Sequence, residues 1–205
     1  MYYLSLCLRA VRLIFRHILS IYNWLNLRYI LFLNNVQYKS IHSNGLPYFS
    51  ISHKNGCCII GKDLTINNGL KNNPIGFQQR MIIRVEKDGN LIIGNNVGMS
   101  QGAIVCYKSI QIDDFVKLGG GVKIYDTDFH SLISKDRYDK KLDNKNKVCA
   151  AIHIKENAFI GAGTIILKGV TIGKNCIIGA GSIVTKNIPD NQIWAGNPAK
   201  YIRDC

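Results

Sequence analysis

Between residues 154 and 188 apolar positions return every six residues. Ile154, Ile160, Ile166, Ile172, Ile178 and Val184 keep that interval without exception. Four places after each stand Ala158, Thr164, Val170, Cys176, Ser182 and Ile188. Three places after each stand Asn157, Gly163, Gly169, Asn175, Gly181 and Asn187. Glycine and asparagine enter left-handed backbone conformations most readily. A six-residue unit is therefore one short strand, with an aliphatic residue pointing inward, and one sharp corner. It is too short for a helix and its return. No unit can bury its apolar residue alone, so the units must stack, as parallel strands about 4.8 Å apart.

The same interval runs upstream with interruptions. Ile60 and Ile66 begin it, and Ile93, Met99 and Val105 continue it with Asn96 and Gly102 at corners. Ile112, Leu118 and Ile124 follow after one slipped residue, with Gly121 at a corner. Residues 72–80 read as a small insertion and residues 126–152 as a large protruding arm; long loops inside compact domains are usually functional. The tail leaves the interval after Ile188, and Pro189 and Pro198 forbid regular pairing there, so it caps the stack or folds back along it. The organisation expected is an N-terminal amphipathic helical or irregular segment at 1–50, a solenoid at 51–188 and a capping tail at 189–205.

The first 33 residues are the most apolar of the chain, yet Arg9, Arg12, Arg16 and Arg28 interrupt them. No window of about 18 uncharged residues exists, which disfavours a spanning helix. No basic residues precede the apolar start and no small-residue cleavage site follows, which argues against a secretory signal. On a helical wheel Ser5, Arg9, Arg12, Arg16, Ser20 and Asn23 share one stripe; the rest is apolar, including Phe15, Ile18, Tyr22, Trp24 and Leu25. Two readings stand. The helix packs on its own domain or a sister subunit, or it lies on a membrane surface with its arginines toward acidic headgroups.

Composition adds less. A chain of 205 residues with 47% apolar residues affords a packed core. A net charge of +13 favours anionic partners. Scattered basic residues without a stacking motif argue against nucleic acid. Seven cysteines without a C-x-x-C pair read as reduced thiols of a cytoplasmic protein, mostly small core residues, with no metal expected.

The stretch IGAGTIILKGVTIGKNCIIGAGSIVTKNIPDNQIWAGNPAKYIR closely resembles the C-terminal part of hexapeptide-repeat acyltransferases, in the maltose/galactoside and polysaccharide O-acetyltransferase branch. The resemblance covers about residues 60–203 and is most specific from 154 onward. It implies an all-β fold, a left-handed parallel β-helix assembled as a homotrimer, with acetyl-CoA as donor. It implies that His130, in DTDFHSL at the root of the arm, is the general base. An imidazole is neutral and basic near neutral pH, and removing an acceptor hydroxyl proton as the oxygen attacks is worth about 10²–10⁴-fold. Asp126 and Asp128 flank it as candidates to orient the ring, Asp128 also facing the acceptor. Gln101, Tyr107 and Arg137 match acceptor contacts. Ala162, Ala180, Thr185, Lys186, Lys200 and Arg203 match the coenzyme groove, with small walls for the pantetheine and cations for the phosphates. Ala151 stands where similar sequences often have proline, and Phe159 where they often have tryptophan.

The function expected is acetyl-CoA-dependent O-acetylation of a sugar hydroxyl on a cell-surface polysaccharide or its lipid-linked or nucleotide-linked precursor, by direct transfer in a ternary complex. The location is cytoplasmic, with the basic N-terminus at the inner membrane face. N-acetylation of an amino sugar is the runner-up. A zinc hydratase on the same scaffold needs three converging histidines, which the spacing of His17, His42, His53, His130 and His153 does not supply. A non-catalytic solenoid would keep the interval without the arm histidine.

Overall fold

In a computed structural model, which describes residues 2–69, 73, 75 and 79–205 (with the side chains from residue 8 onward), the chain winds six coils around one core. Each coil gives one strand to each of three faces. The first face holds Gln37–Tyr38, Cys57–Ile60, Asn90–Ile93, Ser109–Ile112, Ile152–Ile154 and Thr171–Ile172. The second holds Ile41–Asn44, Leu64–Asn67, Gly98–Ser100, Lys117–Leu118, Phe159–Ile160 and Ile177–Ile178, then two strands of the tail, Gln192–Ala195 and Lys200–Asp204. The third holds Tyr48–Ile51, Ile82–Val85, Ala103–Cys106, Lys123–Tyr125, Ile165–Ile166 and Ile183–Val184. Pairing is parallel throughout, except that the tail strands 192–195 and 200–204 pair antiparallel and close the top. The bottom coil begins at Gln37, so the solenoid starts earlier than residue 51: strands 37–38, 41–44 and 48–51 pair with the coil above them.

Both apolar columns of the repeat are interior. Ile154, Ile160, Ile166, Ile172, Ile178 and Val184 are buried, and so are Ala158, Thr164, Val170, Cys176, Ser182 and Ile188. Fully burying each large aliphatic side chain is worth about 1.5–3 kcal/mol, and only stacking achieves it. Five of the six expected corners have positive φ: Asn157, Gly163, Gly169, Asn175 and Gly181. Asn187 does not; its side chain instead accepts the Thr171 N–H at 2.7 Å, and Asn191 takes the left-handed corner above Asn175. The stacked corners are tied by side chains, Asn157 to Asn175 at 3.2 Å and Asn175 to Asn191 at 2.8 Å.

One upstream position departs from the expected interval. The inward column on the third face runs Ile83, Ile104, Ile124, Ile166 and Val184, so Ile104 rather than Val105 points inward. The corner before it is short and is not left-handed. Gly102 is required there by space: a Cβ would come within 2.4 Å of the Val122 carbonyl oxygen.

Helix α1, Tyr2–Leu33, closes the bottom. Leu27 and Leu31 are buried in the first coil and Ile30 packs beside them. Arg28 lies over the rings of Trp24 and Tyr38 and donates to the Tyr38 hydroxyl at 2.7 Å. Asn34 links the helix end to the coil, accepting the Ile51 N–H at 3.0 Å. Among the described cysteines Cys58, Cys106 and Cys176 are buried, Cys57 and Cys149 half-buried and Cys205 exposed, all as free thiols. Part of the 72–80 insertion, like the Cys7 side chain, lies outside the described residues.

Candidate active site

The arm leaves the solenoid after the third-face strand Lys123–Tyr125 and returns at Ile152. Its root is zipped by short antiparallel pairing: Thr127 bridges Cys149, Ala150 N–H donates to Asp126 O at 2.9 Å, and Asp128 N–H to Val148 O at 3.0 Å. Beyond the root lie a 3₁₀ turn, Ser134–Tyr138, and a two-turn helix α2, Lys140–Asn146. Asp139 caps α2 by accepting the N–H groups of Lys141 and Leu142. This cap places Asp143 in the first turn, facing back toward the root.

His130 stands on a strained turn. Phe129 has φ of 63°, a left-handed conformation that is unusual for a bulky residue and costs on the order of 1–3 kcal/mol. The strain is held by packing: the Phe129 ring lies 5.4 Å from Tyr125 and 6.1 Å, edge-on, from Tyr107. The Phe129 ring remains partly exposed at the surface, and the His130 ring projects outward beside it, its side chain 68% exposed. Its Nδ1 lies 2.7 Å from Asp143 Oδ2, while Asp143 Oδ1 accepts the Ser131 N–H at 2.7 Å. The hydrogen bond from the His130 ring, and after it the Ser131 N–H, hold the Asp143 carboxyl below the usual carboxylate range. An ionised carboxylate only accepts, so Nδ1 carries a hydrogen, and in the neutral ring the lone pair is then on Nε2. That is the tautomer a general base needs.

The turn after the histidine is fixed by two more arm residues. Ser131 Oγ donates to Asp136 Oδ2 at 2.7 Å, and Asn146 donates to the same oxygen at 2.8 Å. Arg137 Nη1 donates to the Ser131 carbonyl at 2.7 Å. Arg137, an expected acceptor contact, is thus engaged in holding the arm.

The carboxylate expected beside the ring is neither Asp126 nor Asp128. Asp126 is fully buried and accepts the N–H groups of Tyr107, Lys108 and Ser109 at 2.7–2.8 Å. It fixes the corner below the arm. Its charge adds to burial in pushing the neighbouring Cys106 thiol up. Asp128 pairs through Oδ1 with Lys168 Nζ at 2.7 Å. Its Oδ2 is buried and has no hydrogen-bond partner among the described residues. Lys168 occupies the corner one coil above Asp126, in register through Ile124 and Ile166. No pattern in the sequence singles out Asp143 or Lys168. The arm holds several aspartates, and which one meets the histidine depends on where α2 starts.

Gln101 is fully buried, so it does not line a surface of this protomer. Its Oε1 accepts from Asn73 at 2.8 Å, and Asn73 and Ile75 lie over Gly120. Tyr107 is half-buried beneath the arm. Burial first, then the Glu86 charge, push its hydroxyl up, and Lys147 Nζ lies 4.2 Å from its ring centre.

Three of the expected coenzyme residues, Thr185, Lys186 and Lys200, line one cleft of about 320 Å³ with Trp194, Pro198 and Tyr201. Lys186 and Lys200 have no carboxylate partner among the described residues. Arg203, on the last strand, donates to its neighbour's carbonyl, Asp204 O, at 3.1 Å. Register places Thr185 and Lys186 on the edge between the third and first faces, two coils above the root of the arm. Ala162 and Ala180 lie on a different edge, between the second and third faces. There the coils stack so tightly that a Cβ on Gly161 would meet Ala180 N at 2.5 Å.

Comparison with known proteins agrees with this geometry. A family model described as bacterial transferase hexapeptide (six repeats) matches residues 151–186. Protein CapG of Staphylococcus aureus is 47% identical over 94 residues, covering 46% of this chain and 52% of CapG. A galactoside O-acetyltransferase of Lactococcus lactis is 40% identical over 117 residues, covering 54% of each chain. The chain spans about half the length of these curated relatives. The crystal structure of AntD, an N-acyltransferase from Bacillus cereus in complex with dTDP and coenzyme A, matches with a TM-score of 0.62 at 21% identity. That match covers 82% of this chain and 83% of AntD, and is a likeness of fold. A six-residue interval, three parallel faces and these matches agree on one fold: the solenoid is a left-handed parallel β-helix, and its residues 151–186 match the bacterial transferase hexapeptide family.

Proposed function

We propose that the protein is an acetyl-CoA-dependent acetyltransferase that acts on a sugar hydroxyl, with His130 as general base and Asp143 as its positioning residue. The observation that carries this reading is the exposed His130 ring whose Nδ1–H is bound by Asp143, leaving a lone pair on Nε2. The acceptor hydroxyl gives its proton to Nε2 as its oxygen attacks the thioester carbonyl carbon. The tetrahedral intermediate collapses, the C–S bond breaks, and the coenzyme A thiolate takes the proton back from the imidazolium. No acyl-enzyme is required. Asp128, held at the arm's root by Lys168, is the acceptor contact proposed.

The donor fits the residues present. Lys186 and Lys200 offer unpaired cations to phosphates beside a cleft with aromatic walls. Ala162 and Ala180 offer a smooth edge for the pantetheine. These two sets occupy different edges of one protomer, so an elongated donor collects both most directly in a groove between adjacent protomers. That favours a trimer. Saccharide O-acetylation follows from the galactoside O-acetyltransferase likeness together with the hydroxyl chemistry of the site. The acceptor class proposed is a cell-surface polysaccharide or its lipid-linked or nucleotide-linked precursor.

The test is acetyl-CoA turnover by the full chain against nucleotide sugars, lipid-linked sugars and polysaccharide fragments. His130→Ala should lower kcat by about 10²–10⁴-fold while acetyl-CoA still binds. Full activity in that variant would reject the assignment.

A further inference from the structure

The two halves of α1 use the same face differently. Leu27, Ile30 and Leu31 enter the bottom coil. One to four turns earlier that face carries Asn23, Ser20 and Arg16, which line a crevice over Ser43 and Asn44, and then Arg12 and Arg9. The polar stripe therefore faces the solenoid side. The opposite face points away from it and is apolar along the helix: Val11, Phe15, Ile18, Tyr29 and Phe32 are 59–80% exposed. Among the described side chains of α1, fourteen large apolar residues are exposed. A continuous patch of this kind on a monomer marks an interaction surface.

Charge selects the partner. Residues 1–62 hold seven lysines and arginines and no aspartate or glutamate, more than half of the chain's net +13. Packing copies of α1 through the apolar face would leave Arg9, Arg12 and Arg16 with no acid on the helix to pair them, whereas an anionic surface supplies their counter-charge. Among the described residues no helix is long and apolar enough to cross a membrane. A helix about 48 Å long, apolar on its outer face and cationic behind it, fits the plane of a lipid interface. Exposed Trp24, Tyr22 and Tyr29 suit the headgroup level.

We propose that α1 docks the protein on an anionic membrane surface, with Val11, Phe15, Ile18, Tyr29 and Phe32 in the acyl boundary. Arg9, Arg12 and Arg16 lie on the solenoid side at the phosphates, and the solenoid stands with its bottom coil toward the lipid. This holds whether or not the acetyl-transfer reading does, since the residues and the readout are separate.

The test is co-flotation of the full-length protein with vesicles of phosphatidylcholine, alone or with 30% phosphatidylglycerol (a composition of about that fraction represents an acidic leaflet). Binding to the anionic vesicles should exceed binding to neutral ones by at least about tenfold, weaken with salt, and shift Trp24 emission to the blue in a Trp194→Phe background. The triple variant Arg9→Gln, Arg12→Gln, Arg16→Gln should lose roughly 100-fold in partitioning, about fivefold per arginine. Phe15→Asp with Ile18→Asp should abolish it. Mass by light scattering and the melting temperature should stay unchanged in both variants, which keeps loss of binding distinct from loss of fold. Equal partitioning to neutral and anionic vesicles, no partitioning at all, or a change of oligomer mass in the Phe15/Ile18 variant would overturn the proposal, the last by making a second copy the occupant.

Discussion

The coils from 154 to 188 and the arm from 126 to 152 are consecutive in the chain and are stabilised by different physics. The coils are held by burial. Every sixth side chain is interior, each rung supplies the floor of the next, and polar contacts are confined to corners. Beyond its buried root the arm buries nothing from Leu132 to Ala151: its 3₁₀ turn and α2 contain no buried residue. It is held instead by hydrogen bonds converging on Asp136, Asp139 and Asp143. Burial is non-directional and tolerates repetition. Carboxylate hydrogen bonds are directional and place one ring to within a rotamer. A site that must present a base to a varied acceptor gains from the second kind of order resting on the first.

The largest effect that would separate the two regions is a cavity in the stack. Ile160→Ala should destabilise the whole solenoid by about 2–5 kcal/mol, because coils on both sides lose a contact. Urea unfolding should show one cooperative transition at lower midpoint. If the arm alone loosened while the midpoint held, the arm would be carrying stability that the burial pattern assigns to the core.

Asp126 lies at the junction and tests the boundary. As a buried acceptor of three backbone N–H groups it belongs to the coils, although its position beside the histidine motif makes it look catalytic. Asp126→Asn removes the charge and turns a donor toward donors. The expected cost is roughly 3 kcal/mol, a melting temperature lower by about 6–12 °C. A variant that melts like the parent but has lost transfer would return Asp126 to the chemistry.

Much of this was legible in the sequence because stacking makes periodicity a direct record of burial. The six inward positions after 154 and five of their six corners coincide with the structure. The interval failed at Val105, where a corner one residue short puts Ile104 in register with Ile83 and Ile124 and turns it inward. It also hid the bottom coil, whose strands at 37–51 lack the six-residue spacing of later rungs although Asn35 and Gly45 take left-handed corners there. His130 could be singled out only through the family resemblance and the break in the interval, and the role given to it is a proposal. Asp143 was not, because a partner thirteen residues away is decided by the start of a two-turn helix and the cap that sets it. Gln101 looked accessible because nothing in the sequence says that it is buried against Asn73.

A smaller effect should fall on the arm alone. Asp143→Asn leaves the ring a partner but no longer dictates its tautomer, so Nε2 carries the lone pair in only part of the population. We expect kcat to fall roughly 10–10²-fold with the melting temperature unchanged, and Asp143→Glu to restore part of it. An unaltered rate and pH profile would remove Asp143 from the positioning role.

The smallest effect is the acid response of the arm. The Asp143 and Asp136 carboxyls both have folded pKa values below their ordinary value of 3.8, Asp143 chiefly through the His130 ring and Asp136 chiefly through Ser131. A depressed carboxylate pKa contributes stability that is fully present above the unfolded value and lost as pH falls through the folded one. The arm should therefore keep its order down to about pH 4 and loosen below it, while the parallel coils, whose interior holds few ionisable groups, persist. Amide exchange at Ser131 and Ile133 measured from pH 5 to pH 2 should accelerate beyond its intrinsic rate, with amides of Ile160 and Ile178 staying protected. In the double variant Asp136→Asn, Asp143→Asn that acceleration should vanish, because the groups that titrate are gone. If the coil amides lost protection over the same interval, the arm and the solenoid would be one cooperative unit, and the division between directional and non-directional order would not hold.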